Sequence, residues 1–70
     1  MIPLSMCSIE EVNTIQRISG KEDVRQHLAT LGFVIGSEVS IISNYGDNLI
    51  VAMKDGRIAL DKTLANKIFV

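Results

Sequence analysis

Leu28-Ala29-Thr30-Leu31-Gly32-Phe33-Val34-Ile35-Gly36 is the stretch that decides the fold. Val24, Leu28 and Leu31 recur at i, i+4 and i+7, which places them on one face of a 3.6-residue helix. Gly32 follows as the stop signal, because the residue after a helix C-cap is often left-handed and glycine adopts that backbone at little cost. A β-branched residue there is expected to cost about 1–2 kcal/mol through positive-φ strain. Phe33, Val34 and Ile35 then form an apolar turn, and Gly36-Ser37 a second turn, before the pattern changes to period two.

Upstream, Ser19-Gly20-Lys21-Glu22 has the spacing of a capping box, with Ser19 and Glu22 reaching each other's backbone N–H. The helix is predicted from about Lys21 to Leu31, with Asp23 and His27 four apart and placed to pair. Val12 to Ile18 reads as the first strand from its β-branched residues. Its alternation is imperfect, since Ile15 does not share the parity of Val12 and Ile18, and this predicts a bulge or a strong bend. Met1 to Ser8 reads as an extended arm, because Ile2, Leu4 and Met6 share one parity and Pro3 disfavours a regular helix.

Downstream, Glu38 to Ser43 is a strand with Val39 and Ile41 inward. Asn44-Tyr45-Gly46-Asp47-Asn48 is a loop of turn-forming residues. Leu49, Val51 and Met53 mark the inner face of the next strand. Asp55-Gly56 predicts a type I′ hairpin turn, and Arg57 to Leu60 returns with Ile58 and Leu60 inward. Asp61 is placed to cap a helical turn ending near Asn66, and Ile68 and Val70 form the last strand. Gly32, Gly36, Gly46 and Gly56 are the structural turns. The fold expected is mainly β: a small SH3-like five-stranded barrel with one α-helix between strands 1 and 2 and a short helical turn before the last strand. It is read as a single domain over residues 1–70.

Composition agrees with a small binding module. The chain is 47% apolar but has only two Phe, one Tyr and no Trp, so Ile, Val and Leu build the core, with a surplus left for a contact surface. The net charge of −1 and the mixing of basic and acidic residues argue against a nucleic-acid footprint. A single cysteine, Cys7, rules out an internal disulfide and fits a reducing compartment. The apolar runs fall far short of the roughly 20 residues needed to span a bilayer, and the start lacks the features of a signal peptide. The expectation is a soluble cytoplasmic protein with no membrane insertion and no nucleic-acid partner.

No catalytic arrangement of Ser, His and Asp is visible, and no phosphate-loop signature follows the glycines. The chain is therefore read as a non-enzyme. Cys7 and His27 are the only soft metal ligands, whereas a stable transition-metal site needs three or four converging donors. The expectation is no resident metal or cofactor, with Cys7 and His27 as the weak candidates for Fe²⁺ or another divalent ion. Protein binding is the stronger reading. Leu4, Met6, Leu31, Phe33, Val34, Ile35 and Met53 are the candidate partner-binding residues, and a surface containing Met suits a partner helix or peptide.

Taken together, the motifs resemble the FeoA family, the small cytosolic component of bacterial ferrous iron transport. The resemblance rests on Pro3-Leu4-Ser5, Ile15-x-x-Ile18 and Leu28-x-x-Leu31-Gly32-Phe33-x-x-Gly36, then on Gly46-Asp47-Asn48-Leu49-Ile50-Val51, Gly56-Arg57-Ile58-Ala59-Leu60 and Ala65-Asn66-Lys67-Ile68-Phe69-Val70. The chain departs from the family pattern where Glu10-Glu11 stands near the place of a frequent Pro-Gly pair, where Ile35 replaces a frequent proline, and where Asp61 stands in place of a common arginine. The resemblance implies an accessory or regulatory protein that docks on the cytosolic part of the membrane ferrous iron permease with its GTPase domain. A second copy of the chain is the other partner considered for the same patch. The alternative is a metal-sensing regulatory module, since the barrel also resembles the C-terminal SH3-like domain of iron-dependent repressors, which is a likeness of fold.

Overall fold

The computed structural model describes residues 1–70. The N-terminal arm enters through a 3₁₀ turn at Leu4–Met6, and the chain continues through β1 (Asn13–Thr14), β2 (Arg17–Ile18), α1 (Glu22–Thr30), β3 (Glu38–Tyr45), β4 (Asn48–Met53), β5 (Gly56–Asp61), α2 (Lys62–Ala65) and β6 (Ile68–Phe69). The architecture is mainly β, as the residue patterns imply. All pairings are antiparallel in a four-stranded sheet of order β1-β3-β4-β5 and a two-stranded ribbon of β2 and β6. The two sheets enclose one core without a continuous hydrogen-bonded ladder around it.

There are six strands rather than five because the expected Val12–Ile18 strand exchanges partners midway. Ile15 donates to Ser37 O at 2.9 Å and accepts from Gly36 N–H at 2.9 Å, on the β3 side. The next residue, Gln16, donates to Phe69 O at 2.8 Å, on the β6 side. The bend at this step turns both Ile15 and Ile18 inward and leaves Val12 exposed, which explains the broken alternation. The arm is tied to the last strand, with Ile2 and Val70 exchanging N–H···O bonds of 3.0 and 2.9 Å. Arg17 lies 5.7 Å above the Phe69 ring and covers the ribbon.

The core draws Leu4 from the arm, Ile15 from the partner exchange, Leu28 from α1, Phe33 from the turn, Val39 and Ile41 from β3, Leu49 and Val51 from β4, Leu60 from β5, Ala65 from α2 and Ile68 from β6. No buried side-chain nitrogen or oxygen lacks a partner. β3 is bulged between Ile41 and Ser43, and this extra residue lets β3 stay paired along its length while it curves around the core.

Three local expectations are corrected. Lys21 is the N-cap of α1 and no side chain caps it. Ser19 Oγ turns instead to Lys67 O at 3.4 Å, and Asp23 Oδ1 accepts from Val24 N–H at 2.9 Å. The capping box therefore gives way to a tertiary contact between the helix entry and the chain before β6. The β4–β5 turn is centred on Lys54-Asp55, with Met53 paired to Gly56. Neither turn residue has positive φ, so it is not the type I′ turn the Asp-Gly pair suggests. The β3–β4 loop contracts to Gly46-Asp47 between Tyr45 and Asn48. Asp61 does cap α2, its Oδ1 accepting from Leu64 N–H at 2.8 Å.

Candidate functional site

The helix exit is built as a platform with an apolar turn on top. Leu31 is the C-cap of α1, and Gly32 follows with φ 104°. Gly32 N–H donates to Ala29 O and Phe33 N–H to Leu28 O, both at 2.9 Å. This reciprocal pair is the Schellman arrangement, which satisfies the last helical carbonyls. It also carries Phe33 into the same core as Leu28, and both are fully buried. Burying a phenylalanine contributes about 1.5–3 kcal/mol, so the exit is anchored to the core.

The chain reverses again directly above this anchor. Ser37 N–H donates to Val34 O at 3.1 Å, and Gly36 takes φ 94°. A glycine with positive φ at the third position is what a type II turn requires. Gly36 N–H is also bonded to Ile15 O, which ties the turn to the partner-exchange step. Val34 and Ile35 are thus held outward on a bonded frame, at 45% and 68% exposure.

Two shallow clefts flank the turn. One, of about 450 Å³, lies between the turn and the outer flank of α1, lined by Ile18, Ala29, Val34 and Ile35 over Phe33, with Glu22, Arg25 and Gln26 at its polar side. The other, of about 270 Å³, is lined by Leu31, Gly32, Val34, Ser37, Met53, Lys54 and Asp55. Val34 forms the ridge between them.

The candidate contact residues therefore separate into three groups. Leu31, Val34, Ile35 and Met53 come together around the helix exit. Leu4 and Phe33 are fully buried and are corrected from contact residues to supports, because each is a core side chain in a segment that otherwise looks like surface. Met6 is 71% exposed on the arm, where the 3₁₀ turn breaks the expected parity, and it lines neither cleft beside the turn. Ile18, Arg25 and Ala29 were not among the candidates. Glu22, Gln26 and Ala29 stand at i, i+4 and i+7, so their common helical face was legible, as was the apolar turn, but the approach of the two that makes the cleft was not. Gly32, Gly36 and Gly46 have positive φ at turns, whereas Gly56, expected as a turn residue, opens β5 opposite Met53 just after the Lys54-Asp55 turn, with φ 139°.

The metal candidates do not assemble. No three His, Cys, Asp or Glu side chains are grouped to hold an ion. Cys7 Sγ lies 3.9 Å from Pro3 O. Its thiol is pushed above the ordinary range, first by burial and then by the charge of Glu11. A ligating or nucleophilic thiol needs the opposite shift. His27 is exposed in the last turn of α1, and the Asp23 carboxylate bonds its own helix entry. No helix is long and apolar enough to cross a membrane.

Fold and site together define a small SH3-like module of mainly β structure that presents an apolar turn. The FeoA domain family matches residues 2–70, and the chain belongs to that family. It is 31% identical over 70 residues to the putative Fe(2+) transport protein A of Methanocaldococcus jannaschii, covering 100% of this chain and 85% of that protein. Among solved structures, it is similar to the crystal structure of an iron uptake regulatory protein, FeoA, at a TM-score of 0.87 and 25% identity, covering 96% of this chain and 89% of that one. A manganese-dependent transcriptional repressor shares the fold at a TM-score of 0.88 and 21% identity, covering 97% of this chain but 39% of the repressor.

Proposed function

We propose that this chain is a non-enzymatic accessory protein of ferrous iron uptake that docks through its helix-exit turn on the cytosolic part of the ferrous iron permease. Membership of the FeoA family and likeness to an Fe(2+) transport protein support the link to iron uptake. The observation that carries the docking surface is the exposure of Val34 and Ile35 on a frame bonded to both α1 and Ile15. A preorganised apolar ridge of this kind loses little conformational entropy when a partner covers it.

Ile35→Asp tests the surface. Ile35 is 68% exposed, so the variant keeps its core. Withdrawing an isoleucine and adding a carboxylate to a buried contact is expected to weaken binding to the permease's cytosolic part by about tenfold or more. Unchanged affinity in a folded variant removes this turn from the interface. A second reading, a metal-sensing module, is consistent with the fold shared with the manganese-dependent repressor. Anoxic titration with Fe²⁺ followed by NMR decides it, since saturable shifts at Cys7 or His27 are its signature.

A further inference from the structure

The open edge of the main sheet is self-complementary. β5 is the terminal strand of the order β1-β3-β4-β5. Lys62 N–H donates to Asp47 O at 2.9 Å, one step beyond the Asn48↔Asp61 pair of the same ladder. In an antiparallel pair, bonded and non-bonded positions alternate. The backbone groups of Ile58 and Leu60 therefore face β4, and those of Arg57, Ala59 and Asp61 face away from it. All three are exposed, so this edge offers three free N–H donors and the carbonyls of Arg57 and Ala59, while the Asp61 carbonyl, at the N-cap of α2, already takes that helix's first bond.

We infer that two copies of this chain associate by antiparallel pairing of their β5 edges about a two-fold axis at Ala59. Ala59 then faces its own copy through a small side chain, and Arg57 of each copy stands directly opposite Asp61 of the other. Directly opposed residues project on the same face of a sheet, so both charge pairs form on the outer side. A two-fold at Arg57 sets Arg against Arg, and one at Asp61 sets Asp against Asp. The intermediate registers set one charged residue against Ala59 and leave the other beyond the pair, so neither charge on either strand meets its opposite. Only the Ala59 register uses all three outward-facing residues and matches both charges. Asp61 Oδ1 already accepts from Leu64 N–H, which leaves its second oxygen for the arginine.

A five-residue edge buries less than the roughly 1,200 Å² of stable interfaces, so association is expected at about 1 mM protein and to weaken with salt. Sedimentation equilibrium and NMR concentration series on the whole chain test it. The expected result is a monomer–dimer equilibrium with concentration-dependent amide shifts at Arg57, Ala59 and Asp61. Ala59→Pro is expected to raise the dissociation constant about a hundredfold, because it removes the outward N–H, a change an edge strand tolerates. Arg57→Asp is expected to raise it about tenfold by opposing like charges. A wild-type chain that stays monomeric at 1 mM, shifts confined to other residues, or dimerisation unaltered in the folded variants overturns the inference. None of Arg57, Ala59 and Asp61 lines the clefts beside the helix exit, so this result is independent of permease docking.

Discussion

Replacing Gly32 with alanine isolates the joint on which the candidate surface stands. The φ of 104° lies in the left-handed region, where a residue with a Cβ is strained by about 1–3 kcal/mol. The added Cβ would also meet Met53 Cε at 3.1 Å and Sδ at 3.7 Å. The methionine tip is flexible and gives way by a few tenths of an ångström, so this contact adds little. Reduced freedom of the unfolded chain offsets about 0.4–1 kcal/mol. The net expectation is destabilisation by about 1–2 kcal/mol, with Tm lowered by about 5–15 °C in a domain of this size. Urea unfolding by circular dichroism is the assay, and the midpoint should fall at unchanged m-value. Gly46→Ala is the comparison, since Gly46 sits at φ 58° with no heavy atom within 4 Å of the added Cβ. It should be the milder change. A Gly32→Ala variant as stable as the wild type, or more so, refutes the account of the helix exit.

Two further outcomes follow from the same physics. Glu10 has φ 69° without being glycine. Glu10→Gly relieves about 1–2 kcal/mol of left-handed strain and gives back about 0.4–1 kcal/mol in unfolded-state entropy. The urea midpoint should therefore rise, and a fall would show that the Glu10 side chain makes a contribution beyond the backbone. Cys7 bears on pH. Its folded thiol holds the proton above the ordinary thiol range because of burial and then Glu11, so the unfolded chain deprotonates first. Stability should decline as pH rises from the ordinary thiol value toward the raised one, and Cys7→Ala should flatten that decline in pH-dependent urea melts.

The elements that sequence reading placed well are those governed by neighbours in the chain. The Val24-Leu28-Leu31 stripe, the Gly32 stop and the Asp61 cap each involve residues within one or two helical turns, and each is present. The capping box at Ser19 fits the same local rules, yet the hydroxyl bonds Lys67 O, 48 residues away in sequence. The Asp-Gly turn signal at Asp55-Gly56 is likewise shifted by one residue, because the Met53↔Gly56 pairing decides which residues form the loop. Local chemistry proposes a partner, and a long-range ladder can select another.

Periodicity and turn chemistry were enough to determine a mainly β chain carrying one amphipathic helix, because side-chain spacing and backbone strain act over a few residues. Tertiary packing alone decided that the first strand is divided between two sheets at Ile15–Gln16, and that Leu4 and Phe33 lie inside while Val34 and Ile35 lie outside. It also decided that β5 keeps an open edge. Those outcomes depend on which distant segments compete for the same hydrogen bonds and the same core volume, and no stretch of neighbouring residues contains that competition.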